Sequence, residues 1–282
     1  MRTVLTPSCL EEFFVLLEQY PEALPIAGGT DLLIRLRNVI EPDNRPLLAL
    51  NAMPEIRGIR EESETLSIGA AVTFSGIMDD HIIREQVPVL ALAARKVGGP
   101  AIRNMATIGG NICTASPAGD SLPPLYVLGA KIEIAARQGI RRMPIEKFIL
   151  GPGQTSLGVG EIVTRIQLPH HACFPWQTFE KVGRRRSLAI AVTSFAGQVR
   201  LSIDGTIAEA RFAWGSVAPT VKRLPALEQE LVGARLESEI LHHAAAMVRS
   251  GVSPIDDNRA TAHYRRTVAG NVLVRFLEGL RA

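Results

Sequence analysis

The stretch ATIGGNICTASPAGDSLPPLYVLGA (residues 106–130) decides how this chain is read. It holds a glycine pair, Gly109-Gly110, between Thr107 and Asn111. Its one charged residue is Asp120, and it has no histidine and no lysine. A hydroxyl, an amide and bare backbone cannot serve as acid or base near neutral pH, so the chemistry is that of binding. On the stretch alone, a tight turn between strands is an equal reading. A second pair, Gly28-Gly29, in LPIAGGTDLLIRLRN (24–38), tips the balance toward binding. Glycines after a short apolar strand and ahead of a helix let backbone approach a ligand and turn amide N–H groups outward. That suits a phosphate or diphosphate. No lysine follows the glycines and no GxGxxG is present, which excludes the two common phosphate loops. Asp31 is either part of the ligand loop or the cap of the following helix. Two such loops, some eighty residues apart on different lobes, fit a long ligand with an anionic middle.

The surrounding pattern supplies three lobes. Ser8 and Glu11 read as a capping box for an amphipathic helix bearing Leu10, Phe13, Phe14 and Leu17. A helix from about Asp31 to Asn38 and a buried strand in PLLALNAM complete an α/β unit, residues 1–55. Residues 56–170 read as a largely antiparallel α/β lobe. It has a helix capped by Thr73 and a helix ending at Gly98-Gly99. Its strands lie in AKIEIAARQGIRRMP and GEIVTRIQLP. Residues 171–282 read as a C-terminal α+β lobe, with strands in QTFEKVG, AIAVTSFAGQVRL and TIAEARFAWGSVAPT followed by two helices.

Composition narrows the function. The chain has 282 residues, 46% of them hydrophobic, and a formal charge of +3. Only GRRRS (183–187) is a basic cluster, too short for nucleic acid and better read as a solvated turn or a contact to an anionic cofactor. The three cysteines, Cys9, Cys113 and Cys173, are far apart and form no CxxC, so neither zinc nor a self-contained iron–sulfur cluster is expected. The pairs His170-His171 and His242-His243, and the single His81 and His263, lie in no catalytic motif. The apolar positions near the N-terminus are broken by Glu11, Glu12 and Glu18, and no stretch approaches a membrane span. A reduced, cytoplasmic protein whose chemistry belongs to a cofactor is the expectation.

In order, AGGTDLL, ATIGGNICTASPAGDSLPPLYVLGAKIEIA, EIVTRIQLP and FEKVGRRRSLAIA resemble the FAD-binding (medium) subunits of the xanthine dehydrogenase and carbon monoxide dehydrogenase family of molybdenum hydroxylases. The resemblance spans essentially the whole chain. It implies an α+β architecture: a two-subdomain FAD-binding fold of the vanillyl-alcohol oxidase type, plus a C-terminal α+β domain. It implies that Pro25, Ile26, Ala27, Gly28, Gly29, Thr30, Asp31 and Leu32 hold the FAD diphosphate. Thr107, Ile108, Gly109, Gly110 and Asn111 would wrap the other side of the cofactor. Asp120 matches a family acid contacting FAD, with a buried helix cap as its plainer role. Val163 matches an aliphatic residue against the isoalloxazine, and Lys181 a lysine near the flavin. No catalytic residue and no metal ligand is implied. The implied partners are a molybdopterin-binding large subunit and a small subunit with 2Fe–2S clusters, in a heterotrimer. Electrons would leave to NAD or another acceptor. The other classes are a stand-alone flavin oxidoreductase of the vanillyl-alcohol oxidase type and a non-catalytic scaffold subunit. Two departures stand out. Val97, in RKVGGPAIRN, occupies a region where eukaryotic xanthine enzymes place an aromatic. ARQGIRRMP is short and lacks the cysteines of the reductase branch's extra 4Fe–4S insertion.

Overall fold

Three short strands, β1 (Val4–Leu5), β2 (Leu24–Ile26) and β3 (Leu47–Ala49), form a parallel sheet in the order β1-β3-β2. The central strand is the apolar one: Leu47 and Leu48 are buried. Helix α1 (Leu10–Gln19) crosses from β1 to β2 and drives the fully buried Phe13 into the core, a burial that contributes about 2–3 kcal/mol. The cap of α1 differs from the capping box expected of Ser8 and Glu11. Cys9 is the cap residue, and the backbone N–H and hydroxyl of Ser8 both donate to Glu12, each at 2.6 Å. Glu55, from a distant turn, accepts from the Leu10 amide at 2.9 Å. Helix α2 (Leu32–Arg37) follows β2. The computed structural model describes residues 2–38, 43–169, 174–185 and 188–281. His170-His171, Cys173, the change of character near 170, and Arg186 and Ser187 of the basic cluster lie outside the described residues.

The second sheet is antiparallel, β4 (Ile59–Glu61), β5 (Thr65–Gly69), β6 (Lys131–Ala136), β7 (Gly139–Pro144) and β10 (Ile162–Pro169), in the order β4-β5-β10-β6-β7. β8 (Ile149–Gly151) and β9 (Gln154–Thr155) pair separately after the short α9 (Ile145–Phe148). β10 is central because both of its faces are covered: Ile162, Val163, Ile166 and Leu168 are all buried. Between β5 and β6 run six helices, α3 (Phe74–Asp79), α4 (His81–Gln86), α5 (Pro88–Ala94), α6 (Pro100–Met105), α7 (Ile108–Thr114) and α8 (Leu122–Val127). Thr73 caps α3 as expected, accepting from the Gly76 amide at 3.1 Å. α5 ends at Ala94, before the glycine pair, and Gly98 adopts φ +43°.

The stretch 106–130 is where the fold departs most from a sequence reading. TIGGN is neither a loop nor a turn between strands. It is the first turn of α7, with Thr107 as cap. Two glycines disfavour a helix by about 1 kcal/mol each relative to alanine, so tertiary contacts select this one. α8 opens with Leu122-Pro123-Pro124, prolines that fit a helix's first turn, where no intrahelical N–H bond is needed.

The last sheet is β11 (Trp176–Val182), β12 (Thr193–Leu201), β13 (Ile207–Gly215) and β14 (Lys222–Arg223), antiparallel in that order. Helices α10 (Pro225–Leu231), α11 (Ser238–Gly251) and α12 (Ala262–Glu278) follow. Phe195, Phe212 and Trp214 anchor this core, and the buried Trp214 indole N–H donates to Ala269 O at 3.1 Å. A separate, larger core joins the other two sheets, from Phe13 and Leu48 through Ile68, Ile132 and Ile166. It extends to Phe179 and Ala196 of the last sheet. The three larger sheets therefore meet around the helices that carry residues 98–128.

Candidate cofactor site

A cleft of about 280 Å³ opens between the β2–α2 turn and the start of α7. All eight residues from Pro25 to Leu32 line it, with Arg35, Thr107, Gly110, Asn111, Cys113 and Thr114. The turn is tight because Gly29 takes φ +68°. Gly28 has another reason to lack a side chain. A Cβ there would overlap the Met105 carbonyl, so the turn lies directly on the end of α6. The result is a row of amides, Gly28, Gly29, Thr30 and Asp31, none of which donates to another group among the described residues. Successive unpaired N–H groups form an anion-binding concavity. Asp31 makes no side-chain cap bond to α2. Its carboxylate accepts from the Thr114 hydroxyl at 3.2 Å and pairs with Arg35 at 3.0 Å.

The opposite wall works differently. The amides of Ile108, Gly109, Gly110 and Asn111 donate to Val72 O, Ala70 O, Thr107 Oγ1 and Thr107 O, at 3.0, 2.9, 3.1 and 3.0 Å. None is left for a ligand. Ile108 and Gly109 are buried beneath the cleft rather than lining it. A Cβ on Gly109 would lie 2.6 Å from the Ala70 Cβ. Gly110 faces the open side, where a Cβ would meet only Thr107 Oγ1, at 3.0 Å. What this wall contributes is room at Gly110 and the side chain of Asn111, whose Oδ1 accepts from Ser121 at 2.7 Å.

Asn111 also lines a second cleft, of about 610 Å³, between the helices and the C-terminal sheet. Asp120 and Lys181 face each other there, Oδ2 to Nζ at 2.5 Å. Lys181 also donates to Lys96 O at 3.0 Å. Asp120 is no helix cap: Ser121 is the residue before α8, and the Asp120 carboxylate bonds outward instead. Burial pushes its carboxyl up to about 6, and the Lys181 ammonium offsets only part of that rise. Its second oxygen, Oδ1, is buried with no partner, so the site holds an acceptor that awaits a donor. Val97 lines this cleft as an aliphatic wall. Val163 sits in β10 opposite Ile134, buried in the main core, and lines neither cleft.

Sequence reading missed Arg265. Only 4% exposed, its guanidinium donates to Val192 O, Ser216 O and Asp257, at 2.6, 3.1 and 2.7 Å, and fixes the far wall of the second cleft. Burial opposes ionisation of Asp257. The amides of Arg259 and Ala260 and the Arg265 guanidinium outweigh it and hold that carboxyl well below the usual range. No local motif marks an arginine on a C-terminal helix as part of a site formed with residues 190–220. Among the described residues no group of three or more His, Cys, Asp or Glu could hold a metal ion. No described helix is long and apolar enough to cross a membrane.

The chain matches the family model of the FAD binding domain in molybdopterin dehydrogenase over residues 1–171. It matches that of the CO dehydrogenase flavoprotein C-terminal domain over residues 177–280. It is 36% identical to the xanthine dehydrogenase FAD-binding subunit of Escherichia coli O157:H7 over 258 residues, 89% of this chain and 86% of that subunit. It is 30% identical to the carbon monoxide dehydrogenase medium chain of Hydrogenophaga pseudoflava, covering 96% of this chain and 94% of that one. A solved structure of carbon monoxide dehydrogenase from that organism, lacking the Mo-pyranopterin moiety, superposes with a TM-score of 0.92, covering 99% of this chain and 97% of the other at 31% identity. FAD is the cofactor of this family, and the residues present fit it. The amide row of residues 28–31 suits its diphosphate, and the orphaned Asp120 Oδ1 suits one of its hydroxyl or N–H donors.

Proposed function

This chain belongs to the FAD-binding subunits of the molybdopterin dehydrogenase family of oxidoreductases, and we propose on that footing that it is the electron-exit subunit of a molybdenum hydroxylase. A large molybdopterin subunit would oxidise the organic substrate. A small subunit with 2Fe–2S clusters would carry the electrons here, in a heterotrimer working in the cytoplasm. NAD or another acceptor would take them away. The FAD supplies the redox chemistry when bound, accepting electrons singly and releasing them in pairs. The chain's own residues bind and position it. The amides of Gly28 to Asp31 would hold the diphosphate and Asp120, with Lys181, would meet the flavin end, while Asn111 lines both clefts.

The observation that carries this reading is the pairing of the carboxylates in the second cleft. Asp120 is bonded to Lys181 and Asp257 to Arg265, and the described lining contains no histidine, tyrosine, cysteine or glutamate. Each carboxylate of this lining is paired with a cation, and the one oxygen left over, Asp120 Oδ1, is buried, so the cleft is better built to seat a cofactor than to exchange protons with an organic substrate, which disfavours a stand-alone oxidoreductase. The test is to purify the chain alone, load it with FAD and record its visible spectrum. The expected product is yellow and inert toward organic substrates until the two partner subunits are added. A chain that takes up no FAD, or turns over substrate unaided, would overturn the assignment.

A further inference from the structure

The turn between α5 and α6 presents four consecutive carbonyl groups, and two cations divide them. Arg103, on α6, directs Nη1 at three. It donates to Val97 O and Gly98 O at 3.1 and 3.2 Å and reaches Arg95 O at 3.5 Å. The fourth, Lys96 O, accepts from Lys181 at 3.0 Å. Carbonyls past the end of a helix have no partner within it, and a nearby arginine can supply one. The turn is also seated directly on α6. Gly98 takes φ +43°, and a Cβ there would lie 2.8 Å from the Ile102 Cβ. Arg103 is half-buried, with its Nε shut away from water.

Lys181 comes from β11, on another sheet, and its side chain is only 9% exposed. Its ammonium donates to Lys96 O and to Asp120 Oδ2, at 3.0 and 2.5 Å. An ammonium carries three N–H groups on one centre. Two fixed acceptors therefore set the direction of the third. Val97 and Gly98 of the turn line the second cleft together with Lys181. Arg103 does not line that cleft; it lines the neighbouring recess of about 360 Å³ with Arg95, Lys96 and Arg185, and can act on the cleft only through the turn. We propose that Arg103 is a positioning residue for the flavin seat: by holding the 95–98 turn it fixes the Lys96 carbonyl and so aims the Lys181 ammonium at the cofactor. The inference rests on the FAD reading above and adds to it a residue that touches no part of the cofactor. A cation held at one point beside the ring favours the reduced, negatively charged cofactor, whereas one free to swing into water is screened.

The first readout needs no cofactor. In the apo chain a buried, bonded ammonium exchanges its protons slowly enough to give a proton–nitrogen magnetic resonance signal, and Lys181→Met identifies that signal by removing it. Arg103→Gln should speed its exchange about tenfold or erase it. The second readout uses the full chain loaded with FAD. Arg103→Gln should shift the two-electron reduction equilibrium about tenfold toward the oxidised form, about 30 mV, with flavin content and circular dichroism unchanged. In a Lys181→Met background the same substitution should move that equilibrium by less than about twofold. Arg95→Gln removes an exposed cation from the same recess but no bond to the turn. It should leave both readouts within about twofold of wild type. Arg103→Met, which keeps the packing of the stem, takes the place of Arg103→Gln if that variant does not fold. An unchanged ammonium signal overturns the positioning role alone. A shift of equal size without Lys181, or in Arg95→Gln, overturns it too. A wild-type chain that takes up no FAD overturns the cofactor reading and this inference with it.

Discussion

The two glycine pairs look alike in sequence and act in opposite ways. In AGGTD the backbone is available: the four amides from Gly28 to Asp31 have no acceptor among the described residues, and all four residues line the cleft. In TIGGN the backbone is spent, every amide from Ile108 to Asn111 donating within the protein. Within each pair the glycines divide again. Gly28 and Gly109 are small because other residues press on them, the Met105 carbonyl on the first and the Ala70 Cβ and carbonyl on the second. Gly29 is there for its positive φ, and Gly110 lines the cleft, where a Cβ would meet only the Thr107 hydroxyl. A glycine motif in a sequence thus mixes packing, conformation and ligand room, and only coordinates separate them.

The sharpest test of this division is Gly28→Ala. Its methyl would overlap the Met105 carbonyl, which is backbone and cannot rotate away. We expect a loss of about 3 kcal/mol or more in stability, read by denaturant unfolding of the apo chain. A variant as stable as wild type would show that Gly28 serves the ligand and not the fold.

Gly110→Val should do the reverse. Its Cβ meets only the Thr107 hydroxyl, which costs at most the cap, about 1 kcal/mol. The side chain then occupies the cleft. We expect a folded, colourless chain, measured by flavin absorbance beside circular dichroism. Full flavin content would remove Gly110 from the site. Gly109→Ala, pressed against Ala70, should destabilise by about 1–3 kcal/mol yet leave the folded fraction yellow, and a colourless fold there would erase the contrast between neighbours.

An effect that shows only as a change with pH concerns Asp120, the one charge in 106–130. Its folded-state carboxyl lies above the ordinary value of 3.8, at about 6, chiefly through burial. A raised folded pKa means that the folded chain binds this proton more tightly than the unfolded one. The group therefore favours folding most below about pH 4, and that contribution is lost as pH rises through about 6. Asp120→Asn removes the titration. The apo variant should gain about 2 kcal/mol on the wild type between pH 4 and pH 7. A constant difference across that range would mean that Asp120 does not titrate there.

Much of the architecture was legible because periodicity is local. The amphipathic stripe of α1, the alternation in β10, the hairpin turning at Gly139 and the long C-terminal helices follow from residues a few positions apart. The capping box slipped by one residue, since Glu12 and not Glu11 reaches Ser8, and the helix start is shared with Glu55 from a distant turn. α7 was illegible because its glycine pair argues against helix. The bonds of its Ile108 and Gly109 amides to Val72 and Ala70 overrule propensity.

For the site, the sequence by itself determined the cast: two small, glycine-paired motifs, one carrying Asp31 and the other, TIGGN, with no acid or base, and one acid and one lysine downstream. That follows from side-chain chemistry, which no fold alters. Tertiary structure alone decided which amides are free, that Asp120 keeps a buried oxygen without a donor, and that Arg265 braces a cleft by bonding Val192 and Ser216, 73 and 49 residues away. It also decided that Arg95, Lys96, Arg103 and Arg185, scattered over ninety residues, surround one recess. Whether a hydrogen-bonding group is spent or available, and whether like charges converge, depends on neighbours brought together by folding.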